Sequence, residues 1–590
     1  MKRRLIVSPW AYKDNNSKDI FLGRWAIPYS KFEKNINLKV LQYHWDDRNK
    51  AYKDSIYLSN LRKLIIKEIS IELNKVHKIN ISERSWNLII GFWLIRFLSV
   101  SYDRWCMLEI ANQNFKELSS FYNKEDKREL VPSDTKEASK QFRDDYWNYH
   151  FINNLITHFP SIEIKQIDKN VDLYKKVKKP FFIEIYNTFE KRAKIYANRL
   201  FSLLLKCLKF EKDNFLISDP HLSLKSLIKL SLKLKGVTNY HQNFLYIKKY
   251  SYDNNYRNWE LKSKCSYSKF ENVVRDLIPK FMPTIFLEGF KRHYLDQSIY
   301  KRSTIPRIIF TSNKHISDDA FKILVTRFIE KGSNLIIGNH GGGSPLLFND
   351  SKDYEAEVAD YFLVTGSHNQ IYKNSYNVGQ FWARLKNNIY DSDGHLLIIT
   401  GIHPRYAIEI HSYALSSQIL NYFQDLFSFY KKLPKNISSK TEVRLYPNNY
   451  GWEEEKRWKD NCGDIKIANK REKLSKQIKK CRLAVTTYNA STYIELLAAN
   501  IPVIIFWDET VWQCCESSKI DFALLERVGI FHKTPHSASK MVEKVWNKID
   551  LWWKSENLQK VRREFCEKYG NRELNSKAKI INIFEEALKH

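Results

Sequence analysis

The sequence predicts an α/β protein: two doubly wound parallel sheets, preceded and partly interrupted by a helix-rich N-terminal half. Two patterns carry this expectation. From about residue 305, short β-branched apolar runs recur at 307–312 (RIIFTS), 334–340 (NLIIGNH), 361–367 (YFLVTGS), 395–402 (HLLIITGI), 442–447 (EVRLYP), 483–488 (LAVTTY) and 501–507 (IPVIIFW). Between them, 318–331, 407–432, 469–480 and 491–499 carry apolar residues at helical spacing. Strand–helix alternation of this kind builds parallel sheets, whose strands are buried on both faces and read as continuous apolar runs. Earlier in the chain the helical period dominates, over 55–80, 84–115, 138–158 and 180–209.

In chain order, 590 residues begin with a basic apolar run, RRLIVSPWAY, that reads as a buried strand and a loop. The stretch 211–275, rich in Lys, Ser, Tyr and Asn, reads as an insertion or a helical lobe. The polar segment 385–394 (LKNNIYDSDG) separates the two sheets, giving domains 1–388 and 389–590, and the tail 541–590 is helical. With 16 Trp, 34 Tyr, 34 Phe, 17 Gly and 15 Pro, the chain is neither disordered nor of the Gly/Pro-rich low-complexity type. Its most apolar stretch, Leu88 to Val100, is cut by Arg96 and falls short of the about 20 residues a spanning helix needs. The N-terminus lacks the apolar core of a signal peptide. Eight cysteines without a CxxC pair argue against a disulfide framework or a zinc site. These features predict a cytoplasmic protein without a metal. The net charge of +31 fits an anionic membrane face, a phosphorylated ligand, or a Lys/Asn-rich composition bias. No RNA-binding or zinc-finger signature accompanies it, and no nucleic-acid partner is expected.

Five segments carry candidate chemistry. In IIGNHGGGSP a buried strand ends at Asn339-His340 and runs into Gly341, Gly342 and Gly343. Four of the 17 glycines fall within 338–343. Glycines after a strand let the backbone approach a ligand and turn N–H groups toward an anion or a sugar. His340 there is a candidate general base, or a packed histidine in a tight turn. In 353–367, Glu355, Glu357 and Asp360 are either solvated helix charges or, at Glu355 or Asp360, an acceptor contact or catalytic base. In GIHPRYAIEI, His403 and Arg405 stand where a strand is expected to give way to a helix, placed to meet a phosphate or a base. Arg444, Tyr450 and Arg457 in 444–458 face a cleft or belong to a surface loop. In 484–507 a strand ends in a polar turn, and Ser491 and Thr492 open a helix whose free N–H groups suit a phosphate. Glu495, one turn on, accepts ribose hydroxyls or closes a capping box with Thr492.

The Ser/Thr-rich helix start, Glu495 and the following NIPVI strand resemble the donor site of GT-B glycosyltransferases. These have two facing Rossmann-like domains. The His-Pro pair resembles that of transferases using cytidine-monophosphate sugars, which implies that His403, Ser491 and Thr492 hold the nucleotide. Over nearly the full length the chain is similar to a family of transferases encoded in O-antigen and other surface-carbohydrate loci, first labelled in Leptospira. The shared segments are FLGRW (21–25), LQYHWDDR (41–48), SWNLIIGFW (85–93), YDR (102–104), HGGG (340–343), ASTYIELLAANIP (490–502), GIFH (529–532) and 552–565. It departs from that pattern at Gly343-Ser344-Pro345, where an aromatic residue or Tyr-Gly is expected.

The resemblance implies a metal-independent glycosyltransferase that takes a nucleotide sugar as substrate, with no cofactor. Residues 389–590 would hold the donor through His403, Arg405, Ser491, Thr492 and Glu495, with Gly341, Gly342 and Gly343 of the N-terminal domain as further nucleotide-sugar-binding candidates. Residues 1–388 would face a polysaccharide or lipid-linked acceptor, with His340, Glu355 and Asp360 as the catalytic candidates. Contact with the inner face of an anionic membrane is expected. The alternatives are a polymer phosphotransferase or nucleotide-sugar epimerase of the same fold, or a basic RNA-binding or assembly protein.

Overall fold

A computed structural model describes residues 3–11, 18–29, 38–122, 130–166, 211–222, 224–234, 236–238, 249–261, 267–295, 305–339, 341, 346–348, 350–367, 370–381, 385–572 and 576–589. The fold is α/β with parallel sheets, and it contains three of them where two were expected. The N-terminal sheet joins β1 (Arg3–Ile6), β2 (Asp19–Phe21), β3 (Lys39–Val40), β4 (Leu118–Tyr122) and β5 (Ile162–Gln166) in the order β3-β2-β1-β4-β5. The middle sheet joins β6 (Glu211–Ser218), β7 (Gly236–Thr238), β8 (Ile308–Thr311), β9 (Asn334–Gly338), β10 (Tyr361–Val364) and β11 (Ser375–Asn377) in the order β11-β10-β9-β8-β6-β7. The C-terminal sheet joins β12 (His395–Ile399), β13 (Thr441–Arg444), β14 (Lys466–Ile467), β15 (Cys481–Thr486), β16 (Val503–Phe506) and β17 (Phe531–His532) in the order β14-β13-β12-β15-β16-β17. This last order is that of the doubly wound dinucleotide-binding fold.

All seven expected strands are present, each buried on both faces or nearly so. The additional sheet escaped sequence reading because β2 and β3 are three and two residues long, too short to show a period. Part of 211–275 is neither insertion nor helical lobe. It contains β6, an inner strand of the middle sheet that pairs with both β7 and β8. The expected helix at 180–209 lies outside the described residues.

The apolar run Leu88–Val100 belongs to the helix Glu83–Asn114, which is capped by Ser82 and buried on all sides. Its residues Trp86, Trp93 and Phe97 enter the core of the N-terminal lobe, and Leu88, Phe92 and Ile95 pack on one face of the middle sheet. Burial between two lobes explains a helix that is hydrophobic all round. No described helix is long and apolar enough to cross a membrane. The other face of the middle sheet is covered by the helices Leu224–Lys233 and Ser576–Ala587. There the Phe584 ring meets Phe310 edge-on, with centroids 5.5 Å apart.

The expected helix over 407–432 begins only at Ile419. Residues 401–415 form an irregular buried segment instead, because partners elsewhere take its backbone groups. Trp452 Nε1 donates to the His403 carbonyl (3.0 Å), Arg104 Nη1 to that of Ala407 (2.6 Å) and Arg48 Nη2 to that of His411 (3.1 Å). A buried loop is stable only when such partners exist.

Candidate functional site

A cavity of about 430 Å³ opens where the middle and C-terminal sheets face each other. Its walls come from residues just past the carboxyl ends of parallel strands: Asn313 and Ile316 after β8, Asn339 and Gly341 after β9, Gly401 to His403 after β12, Tyr446 after β13, and Tyr488 to Ser491 after β15. β12 and β15 are the neighbours at which the strand order of the C-terminal sheet reverses. Ligands of doubly wound sheets bind at that switch point, outside the carboxyl ends of the strands. Two close approaches depend on glycine. A Cβ on Gly401 would stand 2.7 Å from the Tyr488 ring, and one on Gly341 would stand 2.9 Å from Ser491 Oγ. Gly341 and Ser491 belong to different sheets, so the two lobes meet across the cavity at this point.

The sequence-predicted residues divide into three groups. His340, Gly342 and Gly343 lie outside the described residues. Gly341, Glu355, His403 and Ser491 line the cavity. Ser491 is the first residue of the helix Ser491–Ala498, whose N-cap, Ala490, has no side chain to satisfy the first N–H groups. The capping box proposed for Thr492 and Glu495 is therefore absent. Glu355 is buried rather than solvated, on the helix Asp350–Val358, and His315 Nε2 lies 3.0 Å from its Oε1.

Arg405, Thr492, Glu495 and Asp360 are turned to other partners. Arg405, expected to bind phosphate, makes a buried ion pair with Asp145 of the N-terminal lobe, and Tyr406 OH donates to the same carboxylate at 2.8 Å. Thr492 Oγ1 is held by Tyr488 OH (2.7 Å), and Glu495 accepts from the Leu385 N–H (3.1 Å). Asp360 sits at the amino end of β10, the end of the sheet opposite the cavity. It accepts there from Arg84 and from the Leu335 N–H, each at 2.7 Å. Of the further candidates, Tyr450 lines the cavity. Arg444 is held by the Glu472 carbonyl, and Arg457 by the Trp452 carbonyl and the Tyr29 ring.

The irregular segment 401–415 adds residues that the sequence did not single out. The His403 ring stacks on Tyr413 at 3.5 Å and His411 stacks on the same tyrosine at 4.2 Å. Burial pulls His403 and His411 each down to about 3, so both imidazoles are neutral at pH 7 and act as hydrogen-bond partners, not cations. Glu409 accepts from Tyr413 OH (3.2 Å) and faces Arg96 at 3.6 Å. Arg96 had a legible signal: one arginine in an otherwise apolar run has to find a partner or a cavity. Lys352, on the same helix as Glu355, also lines the wall. Burial lowers its ammonium group, against the pull of Glu355.

A second cavity of about 540 Å³ adjoins the first, with Asn339, Leu346 and Lys352 common to both. Its outer wall is the helix Arg48–His77, through Tyr52, Ser55, Ile56, Ser59, Asn60 and Lys63. Phe348, Ile371, Tyr372 and Ser517 close it. Hydroxyls, amides and aromatic rings are the groups that hold carbohydrate-sized polar ligands.

The family model for the LIC12162 family transferase matches residues 3–584, and the chain belongs to that family. No curated protein matches the sequence. Among solved structures, MurG of Acinetobacter baumannii is 10% identical, with 63% of this chain and 99% of that one covered at a TM-score of 0.32. The UDP-GlcNAc 2-epimerase of Neisseria meningitidis, bound to UDP-GlcNAc, is 10% identical, with 64% and 100% covered at 0.35. UGT89C1 of Arabidopsis thaliana, complexed with quercetin, is 10% identical, with 65% and 95% covered at 0.31. Likeness at this level places no residue and assigns no ligand.

Proposed function

We propose that this transferase moves a sugar from a nucleotide-sugar donor to a surface-polysaccharide acceptor, without a metal. The donor lies in the first cavity and the acceptor enters from the second. The observation that carries the reading is the cavity at the switch point of the C-terminal sheet, with the uncapped helix start at Ser491 on one side and Gly341 on the other. Helix N–H groups and Lys352 supply positive potential for a departing diphosphate. Tyr446, Tyr450 and Tyr488 offer rings for a base, and the neutral imidazoles of the loop offer hydrogen bonds for hydroxyls.

Glu355 is the general base of this proposal. Its carboxylate lines the donor cavity close to Lys352, which also lines the acceptor cavity, and His315 orients it from behind. It takes the proton of the acceptor hydroxyl as the bond to the anomeric carbon forms and the bond to the leaving phosphate breaks. An O-antigen or capsule acceptor remains part of the proposal, supported by the hydroxyl- and aromatic-lined second cavity.

Thermal-shift measurements with CMP, UDP, GDP, ADP and dTDP test the donor site, because a ligand that binds only the folded state raises the melting temperature. One nucleotide is expected to stabilise the protein, and Ser491→Ala to diminish that shift. With the sugar form of that nucleotide, Glu355→Gln is expected to keep the shift and lose about 10²–10⁴-fold in transfer rate. No shift with any nucleotide would overturn the donor assignment, and a fully active Glu355→Gln would remove Glu355 as base.

A further inference from the structure

We infer that the outward face of the helix Arg48–His77 docks on an anionic lipid bilayer and presents the mouth of the second cavity to an acceptor carried in that bilayer. The inference rests on reading the second cavity as the acceptor side. The helix has 30 residues and is about 45 Å long at 1.5 Å per residue. Its inner face is core: Leu58, Leu61, Ile65, Ile69 and Leu73 are fully buried. Its outer face is not an ordinary solvated surface. Tyr52, Ile56, Leu64 and Ile71 are exposed there, at 40%, 48%, 52% and 56%. Lys53, Lys63, Lys67 and Lys75 are exposed among them.

The charge on this face is one-sided because the helix turns its carboxylates away or neutralises them. Asp54 is buried, accepting from Trp45 Nε1 and paired with Lys50. Glu68 is taken by Arg275 and Tyr267 (2.8 and 2.9 Å), and Glu72 by Lys75 (2.8 Å). Lys63 leans toward Glu357 at 3.4 Å. Lys53 and Lys67 have no carboxylate within ion-pair distance among the described residues. Large apolar side chains interleaved with lysines suit a surface that offers anionic headgroups with acyl chains just beneath them. A phosphate backbone would reward the lysines alone.

The position of the face gives the contact a purpose. Tyr52, Ile56 and Lys63 belong both to this face and to the wall of the second cavity, and Ile371, 71% exposed, stands on the cavity's other side. A bilayer seated on the helix meets the cavity mouth along an apolar rim. An acceptor anchored by a lipid phosphate can then enter headgroup-first, its phosphate passing Lys63 and its sugar reaching toward Lys352.

The full-length protein should sediment with vesicles of phosphatidylcholine and phosphatidylglycerol, and not with phosphatidylcholine alone. Leu64→Ser with Ile71→Ser, and separately Lys53→Glu with Lys67→Glu, are expected to weaken that binding tenfold or more. Neither pair lines either of the two cavities, so both variants should keep the wild-type nucleotide shift. Absence of vesicle binding, binding unchanged in either variant, or tighter binding to single-stranded RNA than to anionic vesicles overturns the inference. The two readings fail separately: a nucleotide shift without vesicle binding sinks the docking face alone, whereas variant-sensitive vesicle binding without any nucleotide shift keeps the face and sinks the donor site.

Discussion

Replacing Arg104 by methionine is expected to loosen the donor cavity from a distance. Arg104 is 1% exposed and lines neither of the two cavities. Its Nη1 donates to Asp103 Oδ2 and to the Ala407 carbonyl, both at 2.6 Å, and its Nε and Nη2 donate to Asn148 Oδ1 at 3.1 and 2.9 Å. Methionine fills much of the same space and supplies none of these donors. Removing one partner of a buried ion pair costs about 3–5 kcal/mol, because the other charge stays buried without it. In a cooperative unit of a few hundred residues each kcal/mol moves the transition by about 2–4 °C, so the shift expected at pH 7 is roughly 6–20 °C. A chain of several lobes does not unfold in one step. The quantity to measure is therefore the apparent melting temperature of the lowest transition, followed by tryptophan fluorescence.

The same substitution carries a pH signature. Burial alone would raise the Asp103 carboxyl, but Arg104 and then His44 outweigh it and hold it below the usual aspartate range. A depressed carboxyl stabilises the fold above its unfolded value of about 3.9, and that stability is lost as pH falls through the folded value. Without Arg104, burial is left opposed by His44 and Tyr43 only, at 3.1 and 2.8 Å, and the carboxyl moves up. The variant then loses stability on the alkaline side of its raised value. The gap to the wild type should be widest at pH 7 and should narrow toward pH 4.5. The nucleotide shift should also shrink, because the loop that carries His403, Glu409, His411 and Tyr413 has lost the donor to its Ala407 carbonyl. A gap of less than about 3 °C at pH 7, below the roughly 6 °C that the smallest cost implies, would refute the reasoning, and so would a gap that does not change between pH 7 and pH 4.5.

Gly341→Ala is expected to push Ser491 off its rotamer, at about 0.5–1.5 kcal/mol, and so to weaken nucleotide binding roughly two- to tenfold by calorimetry. In a Ser491→Ala background the same change should cost nothing further; additive losses would mean that the two lobes do not meet at this point. Glu454→Gln is expected to stabilise the protein in alkali. Burial lifts the Glu454 carboxyl to about 7, against the hydrogen bond from Thr400 Oγ1 at 2.7 Å. A raised carboxyl stabilises the fold below its unfolded value and loses that contribution as pH rises through 7. The variant should therefore gain about 3–4 kcal/mol on the wild type at pH 8.5 and roughly half of that at pH 5.5, and a gain that does not grow between these values would contradict this.

Strand identity was legible wherever burial on both faces turned a strand into an unbroken apolar run, as in IIFT, YFLV and VIIF. The N-terminal sheet was legible only at β1, the buried strand read in RRLIVSPWAY, since β2 and β3 offer no period. The site divided along similar lines. Ser491 and Gly341 were singled out because turn chemistry after a strand is local, and both stand at the cavity wall. Glu355 was left between a solvated helix charge and a catalytic base, because the helix Asp350–Val358 shows acids without showing that His315, 40 residues earlier, covers one of them. Arg405 went to the wrong partner for the same reason. Asp145 lies 260 residues away, and no local pattern records it. Residues 407–415 carry a helical spacing that lost to long-range donors, which is why His411 and Tyr413 were read as helix.

The arginines show how a strongly basic chain separates scaffold from site. Arg62 holds Glu357, Arg104 holds Asp103, Arg257 holds Glu288, Arg275 holds Glu68 and Arg405 holds Asp145. All five are nearly or fully buried, and each spends its fork-shaped guanidinium on a carboxylate, four of them distant in sequence. That is the geometry that suits arginine better than lysine. Arg104 reaches into the loop 401–415 at the Ala407 carbonyl and Arg405 reaches out of it to Asp145, so the N-terminal lobe acts as the clamp that keeps an irregular segment at the cavity wall. Ligand chemistry then falls to groups the clamp leaves facing inward: the N–H groups at Ser491, the neutral rings of the loop, the Lys352 ammonium and the Glu355 carboxylate. On this division, substituting a buried arginine should first show as lost order in the loop. Substituting Lys352 or Ser491 should show as lost affinity in a fold that is otherwise intact.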